Sequence, residues 1–207
     1  MRRNFHQEVA EKITAYQPSG GLDTTSRLFI HMVSVRHPEV RDHCERVALL
    51  AERVALGAEL DAKACFFAGL LHDIGKAMLP ASLFDGHDID AAEYALVKEH
   101  AYDGFAILRD MHLFTALCCG AHHALYKAGY GITQADFPKE WELATLHKVL
   151  EIAALVSICD FVDAYTHRKT EIKDGTAGAD LASMLEGKYP NDRLLVREVL
   201  RQARRVK

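Results

Sequence analysis

This sequence has no run of strand-like alternation and no long hydrophobic stretch. Without alternating apolar and polar residues there is no basis for a sheet. No segment approaches the ~20 apolar residues a bilayer-crossing helix requires, so no membrane anchoring is expected. The opening stretch, Met1 to Lys12, carries Arg2-Arg3 but no apolar core behind them, which argues against a secretory signal. Cysteine is sparse and odd in number, five in 207 residues. Cys118-Cys119 are neighbours, and Cys44, Cys65 and Cys159 lie among apolar residues. That usage suits a reduced, cytoplasmic protein. No Cys-x-x-Cys pair is available for a thiolate zinc site. A basic excess is also missing. The net charge of -4 offers no footprint for nucleic acid, and the basic ends read as solvated helix termini.

What remains is helical spacing almost throughout. Stripes such as Val40, Val47, Leu50 and Val54, or Leu146, Val149, Ala153 and Val156, recur at the helical period. Helices are expected over Phe5–Tyr16, Thr24–Arg36, Val40–Leu56, Asp61–Ile74, Ala91–Met111, Leu113–His123, Trp141–Tyr165 and Asp180–Glu186. A last one follows Pro190, since proline suits a first turn. Asp61–Ile74 is apolar on most sides and reads as the buried central helix. In Ala91–Met111 the residues Tyr94, Val97, Ala101, Ile107 and Leu108 are expected to face inward. Glycine and proline mark Tyr126–Phe137 and Asp174–Gly178 as loops. The fold class is therefore all-α, a helical bundle. Residues 1–34 read as an N-terminal helical extension and residues 35–207 as the main domain.

Histidine is the residue in excess: there are twelve. The most informative pair is His72-Asp73, inside Leu70-Leu71-His72-Asp73-Ile74-Gly75-Lys76. It places an imidazole beside a carboxylate in a segment otherwise built for burial. Further donors fall on inward faces: His43 between Val40 and Val47, His100 beside Val97 and Ala101, His122-His123 at the end of an apolar helix, and Asp160 on the Leu146 stripe. Taken singly, each is most simply a hydrogen-bonded core residue. Together they are costly. An ionisable group buried without a partner costs roughly 2–7 kcal/mol, against about 5–15 kcal/mol of stability for a whole domain. A divalent cation removes that cost. Nitrogen and oxygen donors without sulfur favour manganese, iron or another octahedral ion. There are more donors than one ion needs, so two metals are expected, with Asp73 able to bridge them.

The order of these residues resembles the HD-domain superfamily of metal-dependent phosphohydrolases, and most of all its HD-GYP branch, which hydrolyses cyclic di-GMP. The matching stretches are "HCERVALLA" at His43, "AGLLHDIGK" ending at Lys76, "EYALVKEHAYDGFAIL" around His100, the His122-His123 pair, and "ICDFVDAYTHR" around Asp160. The resemblance implies an HD-domain helical bundle. It implies that His43, His72, Asp73 and Asp160 hold one metal, and that Asp73, His100, His122 and His123 hold the second. Asp73 and Lys76 would be catalytic, with Lys76 neutralising phosphate charge. Glu39, one turn before His43 on the same face, stands where some members hold a third metal; an ordinary exposed glutamate is the alternative. Tyr130 and Arg168 fall where substrate contacts are made, although a turn-closing tyrosine and a surface arginine are equally ordinary readings. Asp163, on the same face as Asp160, would orient a ligand.

The resemblance implies hydrolysis of a nucleotide phosphoester by a metal-bridging hydroxide. The loop after the histidine pair departs from the branch: its Glu is Ala124, its Asp is Lys127, and Gly129-Tyr130-Gly131 lacks the proline. Cyclic di-GMP is thus one substrate among several, another nucleotide being the alternative. A di-iron centre that activates oxygen, or an inactive signalling module, stands behind these. The expected partner is a small nucleotide, with self-association into a homo-oligomer left open. His31, His37, His87, His112, His147 and His167 have no partner pattern and read as surface or helix-end groups.

Overall fold

Every residue from Cys65 to Leu71 is buried, so this stretch has to be surrounded on all sides. The computed structural model describes residues 4–126, 128–167 and 180–204, and in it nine α-helices do the surrounding. They are α1 (Phe5–Tyr16), α2 (Leu22–Arg36), α3 (Pro38–Gly57), α4 (Ala62–Leu71), α5 (Ala91–Leu108), α6 (Leu113–Ala121), α7 (Leu143–His167), α8 (Leu181–Lys188) and α9 (Arg193–Ala203). No strand occurs among the described residues. No helix in them is long and apolar enough to cross a membrane.

Local chemistry sets the helix starts. Asn4 caps α1 by accepting from His6 N at 3.2 Å. Pro38 opens α3, where its missing N–H costs nothing. Asp61 caps α4 by accepting from Ala64 N at 2.9 Å. Asp90 and Glu93 form a reciprocal capping box on α5.

The central α4 packs against α2, α3, α6 and α7. Phe66 and Phe67 are enclosed, and burying each contributes roughly 1.5–3 kcal/mol. The N-terminal helices share this core rather than standing off it. Val9, Ile13, Leu22, Phe29 and Val33 lie in the same cluster as α3 and α4. Tyr16 lies edge-on to Phe67 at 6.2 Å between ring centroids. Helix α1 also answers two buried carboxylates on α3. Glu52 receives the Tyr16 hydroxyl and Lys12 Nζ, the latter at 2.7 Å, and Glu45 receives His6 Nδ1.

Several sequence expectations need correction. Tyr94 is 49% exposed, not inward. It sits in the first turn of α5, and the buried face of that helix starts only at His100. The central helix stops at Leu71, and Ile74–Met78 winds into a 3-10 helix instead. Pro190 lies in the turn between α8 and α9, and α9 begins at Arg193. His37 is a helix-end residue as expected, at the N-cap of α3, but it is buried against Phe84. His31, His87, His147 and His167 are exposed, and half-buried His112 caps α6. The expected loop at Asp174–Gly178 lies outside the described residues.

The 3-10 helix meets α5 at Gly75. A Cβ there would stand 2.1 Å from His100 O and 2.8 Å from Gly104 N, both backbone atoms. At Gly69, where α4 meets α3, the nearest atom would be Ala48 Cα at 3.0 Å. Gly75→Ala is therefore expected to cost more than Gly69→Ala. Overpacking typically costs about 1–3 kcal/mol, and Gly75→Ala should reach or pass the top of that range in chemical denaturation. An equal or smaller loss at Gly75 would contradict the close approach of the 3-10 helix to α5.

Candidate metal centre

Five segments deliver the donors. His43 comes from the second turn of α3, His72 from the end of α4, and Asp73 from the start of the 3-10 helix. His100 comes from the middle of α5, His122 and His123 from the chain leaving α6, and Asp160 from α7. Helices α3, α6 and α7 pack on α4, and α5 packs on α6 and on the 3-10 helix, which carries their inward faces to one point.

Each imidazole is fixed through its Nδ1. His72, His100 and His122 donate Nδ1–H to the carbonyl three residues earlier, at Gly69 (2.8 Å), Val97 and Cys119. His43 donates to Asp163 Oδ2 at 2.8 Å. His123 Nδ1 meets the Tyr126 hydroxyl at 2.8 Å. With Nδ1–H given to a carbonyl, the Nε2 lone pair of His72, His100 and His122 is left as the free donor. Asp163 is itself held bidentately by Arg46, whose Nε and Nη2 donate at 2.7 and 2.8 Å. A carboxylate behind a histidine in this way sets its tautomer and orientation.

The two acids lie between the rings. Asp73 turns Oδ1 to His100 Nε2 at 3.1 Å. Its Oδ2 turns to His72 Nε2 at 3.3 Å and His43 Nε2 at 3.7 Å. Asp160 does likewise, with Oδ1 3.1 Å from His43 Nε2 and Oδ2 3.9 Å from His123 Nε2. The donors fall into two compact groups, His100 with His122 and His123, and His43 with His72 and Asp160. Asp73 reaches toward both.

The charge states suit a cation. Burial works against ionising Asp73, but His72, Lys76 and His100 outweigh it and hold the carboxyl well below its usual range. Asp160 is held down in the same way by His43, His123 and His72. Burial, reinforced by the neighbouring imidazoles, keeps His122 well below its usual range, and burial takes His123 down to about 3. These two rings are therefore neutral and able to donate a lone pair at neutral pH. His43 is the exception: burial opposes its charged form, yet Asp160 and Asp163 raise it to about 9, so a cation at its Nε2 would have to displace a proton at neutral pH.

Four buried polar atoms in this cluster lack any hydrogen-bond partner: Nε2 of His72, His100 and His122, and Oδ1 of Asp73. Such orphans are rare in folded proteins. Divalent ions would take up the lone pairs that these atoms leave unused, so the residues fit metal binding. Cys44 lies beside His72 and Asp73, but burial pushes its thiol well above its usual range and Asp73 adds to this. It remains a neutral packing group behind the donors.

Of the other residues singled out from the sequence, Lys76 is buried with its ammonium on Asp73 Oδ2. Tyr130 lies against His123, ring centroids 4.5 Å apart. Glu39 is exposed and joins no group of donors among the described residues. Arg168 lies outside them. Sequence reasoning overlooked Arg46 and Tyr126. Each sits three residues after a donor histidine, the helical spacing that could have flagged it.

Comparison with known proteins agrees with this geometry. The HD domain family model matches residues 40–168. A cyclic di-GMP phosphodiesterase of Pseudomonas aeruginosa, PA4108, is 25% identical over 167 residues, covering 76% of this chain and 38% of that protein. A 3'3'-cGAMP-specific phosphodiesterase of Vibrio cholerae, phosphodiesterase 2, is 40% identical over 80 residues, 37% of this chain and 15% of that one. The chain thus spans well under half the length of these curated relatives. The crystal structure of the L. monocytogenes phosphodiesterase PgpH HD domain superposes with a TM-score of 0.56 at 16% identity, covering 84% of this chain and 94% of that one. At that identity the likeness is one of fold. Because the matched span takes in every donor from His43 to Asp160 and more than half of the sequence, the chain belongs to the HD domain family.

Proposed function

We propose that this chain is a metal-dependent hydrolase of nucleotide phosphodiesters, with cyclic di-GMP the first substrate to test. The reading rests above all on one observation: the Nε2 atoms of three buried imidazoles converge on the buried Asp73 carboxylate, 3.1 Å away at His100 and 3.3 Å at His72, without a hydrogen bond to any of them. The names of the relatives, phosphodiesterases of cyclic di-GMP and of 3'3'-cGAMP, support the substrate class. The altered loop at Ala124 and Lys127 is a reason to test other nucleotides as well. The five buried free thiols fit a site of action in the reducing cytoplasm.

In this reading His43, His72, Asp73 and Asp160 hold one divalent ion, and Asp73, His100, His122 and His123 hold the second, iron or manganese by donor type. Two such ions lower the pKa of a bound water and neutralise charge on the attacked phosphoryl group. The chain's own residues do the rest. The carbonyls of Gly69, Val97 and Cys119 hold three rings in one tautomer, so the donors need no reorientation to bind. Asp163, clamped by Arg46, does the same for His43 and keeps it imidazole-out toward Asp160. Lys76 brings a second positive group to the Asp73 carboxylate, where a phosphoryl oxygen can share it. Tyr130, lying against His123, offers a flat face to a nucleobase. Glu39, exposed at the start of α3, remains outside this set.

Metal analysis of protein purified without chelator should find divalent metal, and manganese should raise the melting temperature by mass action on the folded state. Asp73→Ala should lose the metal, the thermal shift and turnover of cyclic di-GMP together. Retention of full metal content and activity by this variant would sink the proposal. Asp163→Asn keeps the size of the side chain but weakens the hold on His43. It should lower metal affinity by roughly 10- to 100-fold, measured by titration of metal-stripped protein, while the fold by circular dichroism is kept.

A further inference from the structure

Lys188, the last residue of α8, carries its charge over aromatic rings instead of against an acid. Its ammonium is 4.4 Å from the centroid of Tyr126, 4.5 Å from Phe161 and 5.6 Å from Tyr189. Ring faces attract a cation at these distances. It forms none of the close ion pairs seen among the described residues. Burial pulls it below its usual range, and Asp160 is the one charge that pulls the other way. A partly desolvated ammonium matched only to ring faces still has three N–H donors to direct at an anion.

All three walls of this cage are tied to the donor cluster. The Tyr126 hydroxyl meets His123 Nδ1 at 2.8 Å. Phe161 follows Asp160 directly on α7. The Tyr189 hydroxyl donates to Ser157 O at 3.0 Å, one turn before Asp160. Tyr126 and Tyr189 also contact each other, with centroids 5.8 Å apart. Lys188 is therefore held at a fixed place beside the cluster, on the side of His123 and Asp160. It comes from a helix beyond residues 40–168, the span the family model matches.

We propose that Lys188 anchors a second phosphate of the substrate, one other than the phosphate attacked at the donor cluster. The inference rests on the phosphodiesterase reading and narrows its substrate class to nucleotides that carry two separated phosphates, such as cyclic or linear dinucleotides. The cage holds the ammonium in place, so little side-chain freedom remains to be lost on binding. A purely structural post would fill the same space without needing its charge, and methionine would serve as well.

The test uses the metal-loaded chain and two probes, cyclic di-GMP and bis(p-nitrophenyl) phosphate, which has a single phosphate. Lys188→Met keeps the apolar stem, and Lys188→Arg keeps the charge. For Lys188→Met, the fall in kcat/KM should be roughly tenfold greater for cyclic di-GMP than for the single-phosphate probe, in line with loss of one charged hydrogen bond. The difference should sit in KM rather than kcat, and Lys188→Arg should recover most of it. Equal falls on both probes, or no fall on either, would overturn the anchor and leave the hydrolase standing. So would wild-type protein that cleaves the single-phosphate probe but has no affinity for cyclic di-GMP. Wild-type protein that is metal-loaded and cleaves neither probe would overturn the hydrolase reading and the anchor with it.

Discussion

The rest of the structure is arranged around a carboxylate that has almost no access to water. Asp73 is 1% exposed. An ionised acid in such a place is tolerated only when it is paired and hydrogen-bonded. Its partners come from the same turn, His72 and Lys76, and from distant helices, His43 on α3 and His100 on α5. Packing follows from this. Helix α5 must come close enough for His100 to reach Asp73, and Gly75 is where the backbones allow it. The helix of Ala62–Leu71 ends where the charge begins, and the tighter 3-10 turn points Lys76 back onto the acid. Geometry of the centre and geometry of the core are thus one problem with one solution.

That solution leaves a residue of cost. A buried polar atom without a hydrogen bond is destabilising by about 1–3 kcal/mol, and His122 Nε2, which among the described residues has neither a hydrogen bond nor a carboxylate within ion-pair reach, is the plainest case in this cluster. The fold reduces the electrostatic part by keeping His122 and His123 neutral, so that crowded imidazoles do not repel as cations. What it does not reduce is the loss of solvation of their lone pairs. A core assembled for stability alone would fill these positions with apolar groups. Keeping unsatisfied donors in the interior makes sense when a ligand satisfies them, and it couples the binding of that ligand to the stability of the folded chain.

Much of the fold was legible in the sequence because it is periodic. The stripes on α3 and α7 place His43 and Asp160 inward, and the apolar density of α4 marks it as central. α1 runs over the expected Phe5–Tyr16. The failures lie where periodicity stops carrying information. Tyr94 has the right helical phase but precedes the point at which α5 enters the core. His37 is buried by Phe84 from another segment, which no local pattern encodes. The bidentate hold of Arg46 on Asp163 joins residues more than a hundred positions apart. Lys188 has no sequence signal at all, because its environment is made by three rings from three different segments.

Donors and surroundings also come from different parts of the chain. Every donor from His43 to Asp160 lies within residues 40–168. Outside that span, α1 satisfies Glu45 and Glu52 on the outer side of α3, which fixes the helix that carries His43. At the other end, Tyr189 locks α8 to Ser157 on α7 and brings Lys188 to the edge of the cluster. Changes within the matched span disturb the donors themselves. Changes in the flanking helices alter how His43 is supported and what stands beside His123 and Asp160. The flanking helices therefore bear on the cluster without supplying a donor to it, one by steadying the helix that carries His43 and the other by what it sets beside Asp160.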